Sequence, residues 1–143
     1  MTDVFTYNYE GIGAVCIPVK IDKTTDMDFT RVDLAAGRCA AVFSDSFEAG
    51  MGSAGDKLAG KIISLEDELD ENGLYVRGTM QIGGCVKLKY TTTTPVINQM
   101  VEVDGAGLVR IATADTDIAA GGHLARGQVM AVDTVNSEVL VWL

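Results

Sequence analysis

Between Leu74 and Tyr90 the chain reads LYVRGTMQIGGCVKLKY, and its apolar positions fall on alternate residues. Leu74, Val76, Gly78, Met80 and Ile82 share one parity, and Tyr75, Arg77, Thr79 and Gln81 share the other. A period of two predicts a β-strand with one face in a core and the other in water. After Gly83-Gly84 the alternation resumes, with Val86, Leu88 and Tyr90 set against Cys85, Lys87 and Lys89. A second half-buried strand is expected there, returning as the antiparallel partner of the first.

The same pattern recurs along the chain. Phe5, Tyr7 and Tyr9 alternate with Thr6, Asn8 and Glu10, so residues 1–11 read as an N-terminal strand or as an arm that lays its aromatics on a neighbouring subunit. Residues 12–21 are dense in β-branched side chains, but Pro18 cannot donate a ladder hydrogen bond, which predicts an edge strand. A polar loop follows at 22–30, a short strand at 38–43 and a glycine-rich loop at 44–56. KLAGKIISLE, from Lys57, reads as strand. The acidic run EDELDE at 66–71 ends in Asn72-Gly73, a pair suited to positive φ and hence to a hairpin turn. Further on, residues 96–103 predict a strand with Val101 and Val103 inward. Asp104 to Gly107 predict a turn, 108–112 a returning strand, and 113–122 a loop. Residues 127–133 and 138–143 form the final expected hairpin; the second of these is almost wholly apolar and should be tied into a sheet or an interface. The expected fold is all-β, a small β-barrel or β-sandwich of hairpins with little helix, in which residues 1–11 are an arm or strand and 12–143 a single β domain.

Length and charge narrow the function. A chain of 143 residues can bury about 70% of its unfolded surface, enough for one stable domain without staples. The net charge of -9 argues against nucleic acid and against an anionic membrane, since both are bound mainly by clustered Lys and Arg. No apolar run approaches the roughly 20 residues of a membrane-spanning helix, and the start lacks the basic-then-apolar pattern of a signal peptide. Cys16, Cys39 and Cys85 are too few and too far apart for a disulfide framework or a zinc knuckle. They read as buried free thiols, and a reducing cytosol is the expected site of synthesis.

Candidate chemistry is sparse, and no catalytic residue, cofactor or metal is expected. Gly50, Gly52 and Gly55 spell G-x-G-x-x-G, with Asp70 near the usual distance downstream, but a dinucleotide fingerprint must open a helix and the residues that follow read as strand. Glu68, Asp70, Asn72 and Gly73 match positions one, three, five and six of a calcium loop. Thr79 stands at position twelve, where a bidentate Glu is required. The single histidine, His123, has no cysteine or paired acid at ligand spacing. Lys87, Lys89 and Arg77 are expected to pair with acids across strands.

GKIISLED at 60–67, GGCVKLKYT at 83–91, VEVDGAGLVRI at 101–111 and AVDTVNSEVLVWL at 131–143 together resemble a group of small phage and prophage capsid decoration, or cement, proteins. The resemblance covers roughly residues 57–143 and consists of strand and turn patterns: a strand ending in tyrosine-threonine before a proline, an acidic-glycine turn before a basic strand, and a closing hairpin. It implies a structural virion protein made in the host bacterial cytoplasm. Such a protein binds the major capsid protein on the outside of a phage head and stabilises it as a homo-oligomer, a trimer by preference. Phe5, Tyr7, Tyr9 and Trp142 are then the candidate capsid or subunit contacts. Two other classes are open: a ligand-binding or enzymatic β-barrel using the Gly50–Gly55 loop, and a regulatory module that binds a peptide along a sheet edge.

Overall fold

The computed structural model describes residues 9–23, 29–112 and 127–143. Phe5, Tyr7, His123 and the loop expected at 113–122 lie outside them. The described strands are β1 (Val15–Ile21), β2 (Ala40–Asp45), β3 (Glu48–Gly50), β4 (Gly60–Leu65), β5 (Arg77–Gly83), β6 (Cys85–Lys89), β7 (Val101–Val103), β8 (Val109–Ile111), β9 (Gln128–Asp133) and β10 (Glu138–Trp142). The first five close into a barrel in the order β1-β3-β2-β4-β5. β6, β10 and β9 make a three-stranded sheet with β10 in the middle, and β7 pairs with β8. The fold is all-β and built on a small barrel.

β2 joins the two apolar cores through its alternation. Ala41 points into the barrel with Val19, Ile21, Phe29, Ile62 and Met80. Ala40 and Val42 point the other way, toward Val86, Leu88, Val101, Val139 and Val141. A closed sheet of five strands leaves little room inside, so its lining is cut to size by Ala41, Ala49 and Ala59. Gly78 serves the same end: a Cβ there would stand 2.6 Å from the Ser64 carbonyl oxygen. Each fully buried Val, Ile or Met contributes about 1.5–3 kcal/mol relative to exposure.

β5 and β6 are not partners, contrary to the sequence pattern. Gly84 alone separates them, one residue fewer than the tightest hairpin loop, so the chain turns a corner instead of reversing. Gly84 takes φ +84°, its carbonyl accepts from the Leu143 amide at 2.9 Å, and β6 pairs along its length with β10. Alternation also breaks within β5. Gln81 is buried and Ile82 is not, because the Gln81 side-chain amide donates to the carbonyls of Gly83 at 2.9 Å and Cys85 at 3.1 Å, across that corner.

Other departures are local. The strand expected over 96–103 begins at Val101, while Val96 and Ile97 are exposed and Asn98 takes φ +75°. The glycine-rich stretch at 44–56 contains β3, reached through a turn at Ser46-Phe47. A five-residue helix, α1 (Arg31–Ala35), opens on a capping box in which Thr30 and Asp33 satisfy each other's backbone amides. Of the three cysteines, Cys39 and Cys85 are buried as expected, but Cys16 is exposed on the outer face of β1.

Candidate interaction surface

β1 is a barrel strand at one end and an open edge at the other. Ile21 donates to Val76 on the β5 side, whereas Lys20 and Asp22 donate to Phe47 and Ala49 on the β3 side, each at 2.8–3.0 Å. The backbone groups of the even-numbered residues therefore face β3. Yet β3 meets β1 at Lys20↔Glu48 and Ile21↔Ala49 alone, so among the described residues no strand lies beside Cys16 to Pro18 on that side. Pro18 is tolerated because its missing N–H faces this gap, while its other side pairs with Thr79. The edge strand expected from Pro18 is thus an edge over half its length.

The gap is an apolar notch of about 370 Å³ lined by Ile17, Pro18, Val19, Lys20, Phe47 and Arg77. Lys20 and Arg77 are cross-strand partners, which puts two cations at its rim. Phe47 is the unusual residue. It takes φ +52° while its side chain is 66% exposed, and left-handed backbone costs a bulky residue about 1–2 kcal/mol. Phe47 thus combines a left-handed backbone with an exposed aromatic ring at the rim of the notch.

The root of the N-terminal segment is held on the opposite flank. Two successive turns, with the Ile12 amide on the Tyr9 carbonyl and the Ala14 amide on the Gly11 carbonyl, carry the chain into β1. The Glu10 carboxylate is paired with Lys61 of β4 and lies 3.8 Å from Lys87 of β6. These lysines share a groove of about 290 Å³ with Cys39, Lys89 and Glu138, and burial pushes the Cys39 thiol up from its ordinary pKa. The basic strand residues are thus paired or bonded: Lys87 with Glu10, Arg77 with Glu68 at 3.8 Å, and Lys89 with the Asn136 carbonyl at 3.3 Å.

Of the four candidate contact residues, Tyr9 and Trp142 are described, and both are at the surface. The C-terminal strand does two things at once. Val139 and Val141 are buried in the core, while Trp142 remains 46% exposed and packs beside Gly13, where an added Cβ would stand 3.3 Å from its ring. Ile12, in the same turn, is also exposed, so the turn and Trp142 present adjoining apolar surface.

The glycine loop is followed by β4 and not by a helix. Gly52 and Gly55 take φ +69° and +95°, and the Asp56 carboxylate accepts from the Ser53 amide at 2.8 Å. Beside it Val42, Phe43, Asp56, Lys57, Leu58 and Ala59 line a cavity of about 590 Å³. The acidic run forms the tip of the β4–β5 hairpin. There Asp70 accepts the amides of Leu74 and Asn72 at 2.9 and 2.8 Å and pairs with Lys23 at 3.3 Å. These bonds, the Leu74 amide first, hold its carboxyl below the usual carboxylate range. Among the described residues no three of His, Cys, Asp or Glu are grouped to hold a metal ion.

Sequence reasoning missed the buried carboxylates Asp22, Glu102 and Asp133. Glu102 of β7 is 2% exposed and meets Arg110 of β8, its cross-strand partner. The signal was present in the Asp104–Gly107 turn, which fixes that register. No family model matches the chain, and neither a curated protein nor a solved structure matches it.

Proposed function

We propose that this protein is a structural component of a phage head: a decoration protein that binds the major capsid protein on the outer surface as a homo-oligomer and stabilises the shell. The observation that carries an interaction role is Phe47, an exposed and strained aromatic beside an apolar notch on a closed β scaffold. The capsid assignment rests on the resemblance. Its stretches cover β4, β6, the β7–β8 hairpin, and β10 with the second half of β9. An acidic exterior suits a position away from packaged DNA. Trp142 is the described aromatic best placed for the capsid contact, since exposed aromatics that become buried dominate interface energies.

The test is co-sedimentation of the purified protein with empty expanded heads assembled from a phage major capsid protein. Saturable binding is expected, and Trp142→Ala should weaken it by about tenfold or more. Intact protein that leaves the heads undecorated would overturn the assignment. The cavity beside the glycine loop gives the second reading, a small-ligand site. Thermal melting with NAD, ATP, calcium or zinc separates the two, because a ligand at 100 times its Kd adds about 2.7 kcal/mol of stability.

A further inference from the structure

We propose that Glu10 is a positioning residue for the Trp142 contact: its ion pairs with Lys61 and Lys87 clasp the turn of residues 9–13 over the Gly84 corner, and that turn fixes how Trp142 is presented. This rests on the reading of Trp142 as a contact residue given above.

Turn and ring meet at one corner of the fold. Gly84 lets the turn come close: a Cβ there would stand 2.3 Å from the Ile12 carbonyl oxygen and 2.6 Å from the Gly13 carbonyl carbon. The Gly11 amide donates to the Cys85 carbonyl and the Cys85 amide donates to the Ile12 carbonyl, both at 2.9 Å. Cys85 is in turn the cross-strand partner of Trp142. Gly13 completes the arrangement, since a Cβ on it would stand 3.3 Å from the Trp142 ring. Any movement of the turn therefore uncovers or re-aims that ring.

Two backbone bonds at the end of a strand open easily on their own. Glu10 adds a fastening that reaches both halves of the fold. One of its carboxylate oxygens is paired with Lys61 of β4, in the barrel, and the other lies 3.8 Å from Lys87 of β6, in the three-stranded sheet. The Glu10 side chain is 30% exposed and those of Lys61 and Lys87 are 18% and 23% exposed, so water and salt screen these pairs less than pairs on the open surface. Glu10 also immediately precedes the Gly11 bond to Cys85, so where its carboxylate is held sets where the turn begins.

Trp142 is the sole tryptophan of the chain, so its fluorescence reports on this corner in the free, full-length protein. Glu10→Gln keeps the shape of the side chain and removes its charge. The emission should move to longer wavelength and be quenched more strongly by acrylamide, while far-ultraviolet circular dichroism and a cooperative melt are retained. Lys61→Gln should shift the emission in the same direction, and the double variant should go no further than Glu10→Gln alone, since a clasp already open cannot be opened again. Unchanged emission in Glu10→Gln, or additive shifts in the double variant, would overturn the clasp and leave the reading of Trp142 standing. Binding of Glu10→Gln to empty heads should fall about tenfold. Full binding alongside a shifted emission would overturn the positioning role. If Trp142→Ala binds heads as the native protein does, the contact reading itself fails and takes the positioning role with it.

Discussion

Arg110 places its Nε and Nη2 3.0 and 2.8 Å from the same carboxylate oxygen, Oε2 of Glu102, across the β7–β8 ladder. Glu102 is 2% exposed, and the Arg110 side chain is 34% exposed. The pair lies under the glycine loop, where a Cβ on Gly55 would stand 3.3 Å from Oε2. Arg110→Met removes the guanidinium from a buried carboxylate and should lower stability by about 2 kcal/mol, the half-exposed arginine keeping the cost below that of a fully buried pair. The double variant Glu102→Met with Arg110→Met should recover most of it. Urea unfolding of the three proteins checks this, and a loss under about 0.5 kcal/mol in the single variant would contradict it.

Asp133 closes the β9–β10 hairpin from a fully buried position. Its carboxylate accepts the Val135 and Asn136 amides at 2.9 and 3.0 Å and the Asn136 side-chain amide at 2.7 Å. Asp133→Ala should cost about 2 kcal/mol, as the turn loses a charged acceptor of three hydrogen bonds. Because Ser137 already takes φ +54°, Ser137→Gly should move stability the other way, by up to about 1 kcal/mol. Melting curves of both variants are the measurement.

Acid should loosen the β4–β5 hairpin tip first. The Asp70 carboxyl is held below its ordinary pKa, so its contribution is complete above about pH 3.9 and is lost as pH falls through the lowered folded value. Asp70→Asn should flatten the acid limb of the stability curve. Hydrogen exchange at Leu74 and Asn72 should quicken in the native protein before global unfolding. Equal acid sensitivity in native protein and variant would remove Asp70 from the account.

Thiol chemistry should separate the three cysteines. Cys16 is exposed, while burial raises the pKa of Cys39 and Cys85, so a maleimide at neutral pH should modify one thiol per folded chain and three after denaturation. The raised pKa values also set an alkaline limit. Their contribution is full below the ordinary thiol pKa of about 8.5 and is lost as pH climbs through the folded values, since the unfolded chain gives up those protons first. Replacing Cys39 and Cys85 with alanine should reduce the alkaline loss, at the cost of two small cavities.

Several elements were legible in the residues because their causes are local. Asn72-Gly73, Asp104-Gly105 and the stretch between Asp133 and Glu138 carry turn chemistry that works over four residues, and each sits at a hairpin tip. Period-two patterning placed β5 and β6, β-branched or apolar runs placed β4, β9 and β10, and the apolar C-terminus is a core strand with Trp142 turned outward. Partner choice could not be read this way, because alternation specifies faces and not neighbours. β6 pairs with β10, some 50 residues away, because the single residue Gly84 cannot reverse the chain. The candidate surface depends on the same kind of fact. Pro18 announced an edge, but that β3 reaches only Lys20 and Ile21, leaving the rest of β1 open beside Phe47, follows from how a five-stranded barrel closes. Tertiary structure alone also placed Glu10 between Lys61 and Lys87, residues more than 50 positions along the chain. Sequence spacing carries no record of which charges a closed sheet brings together.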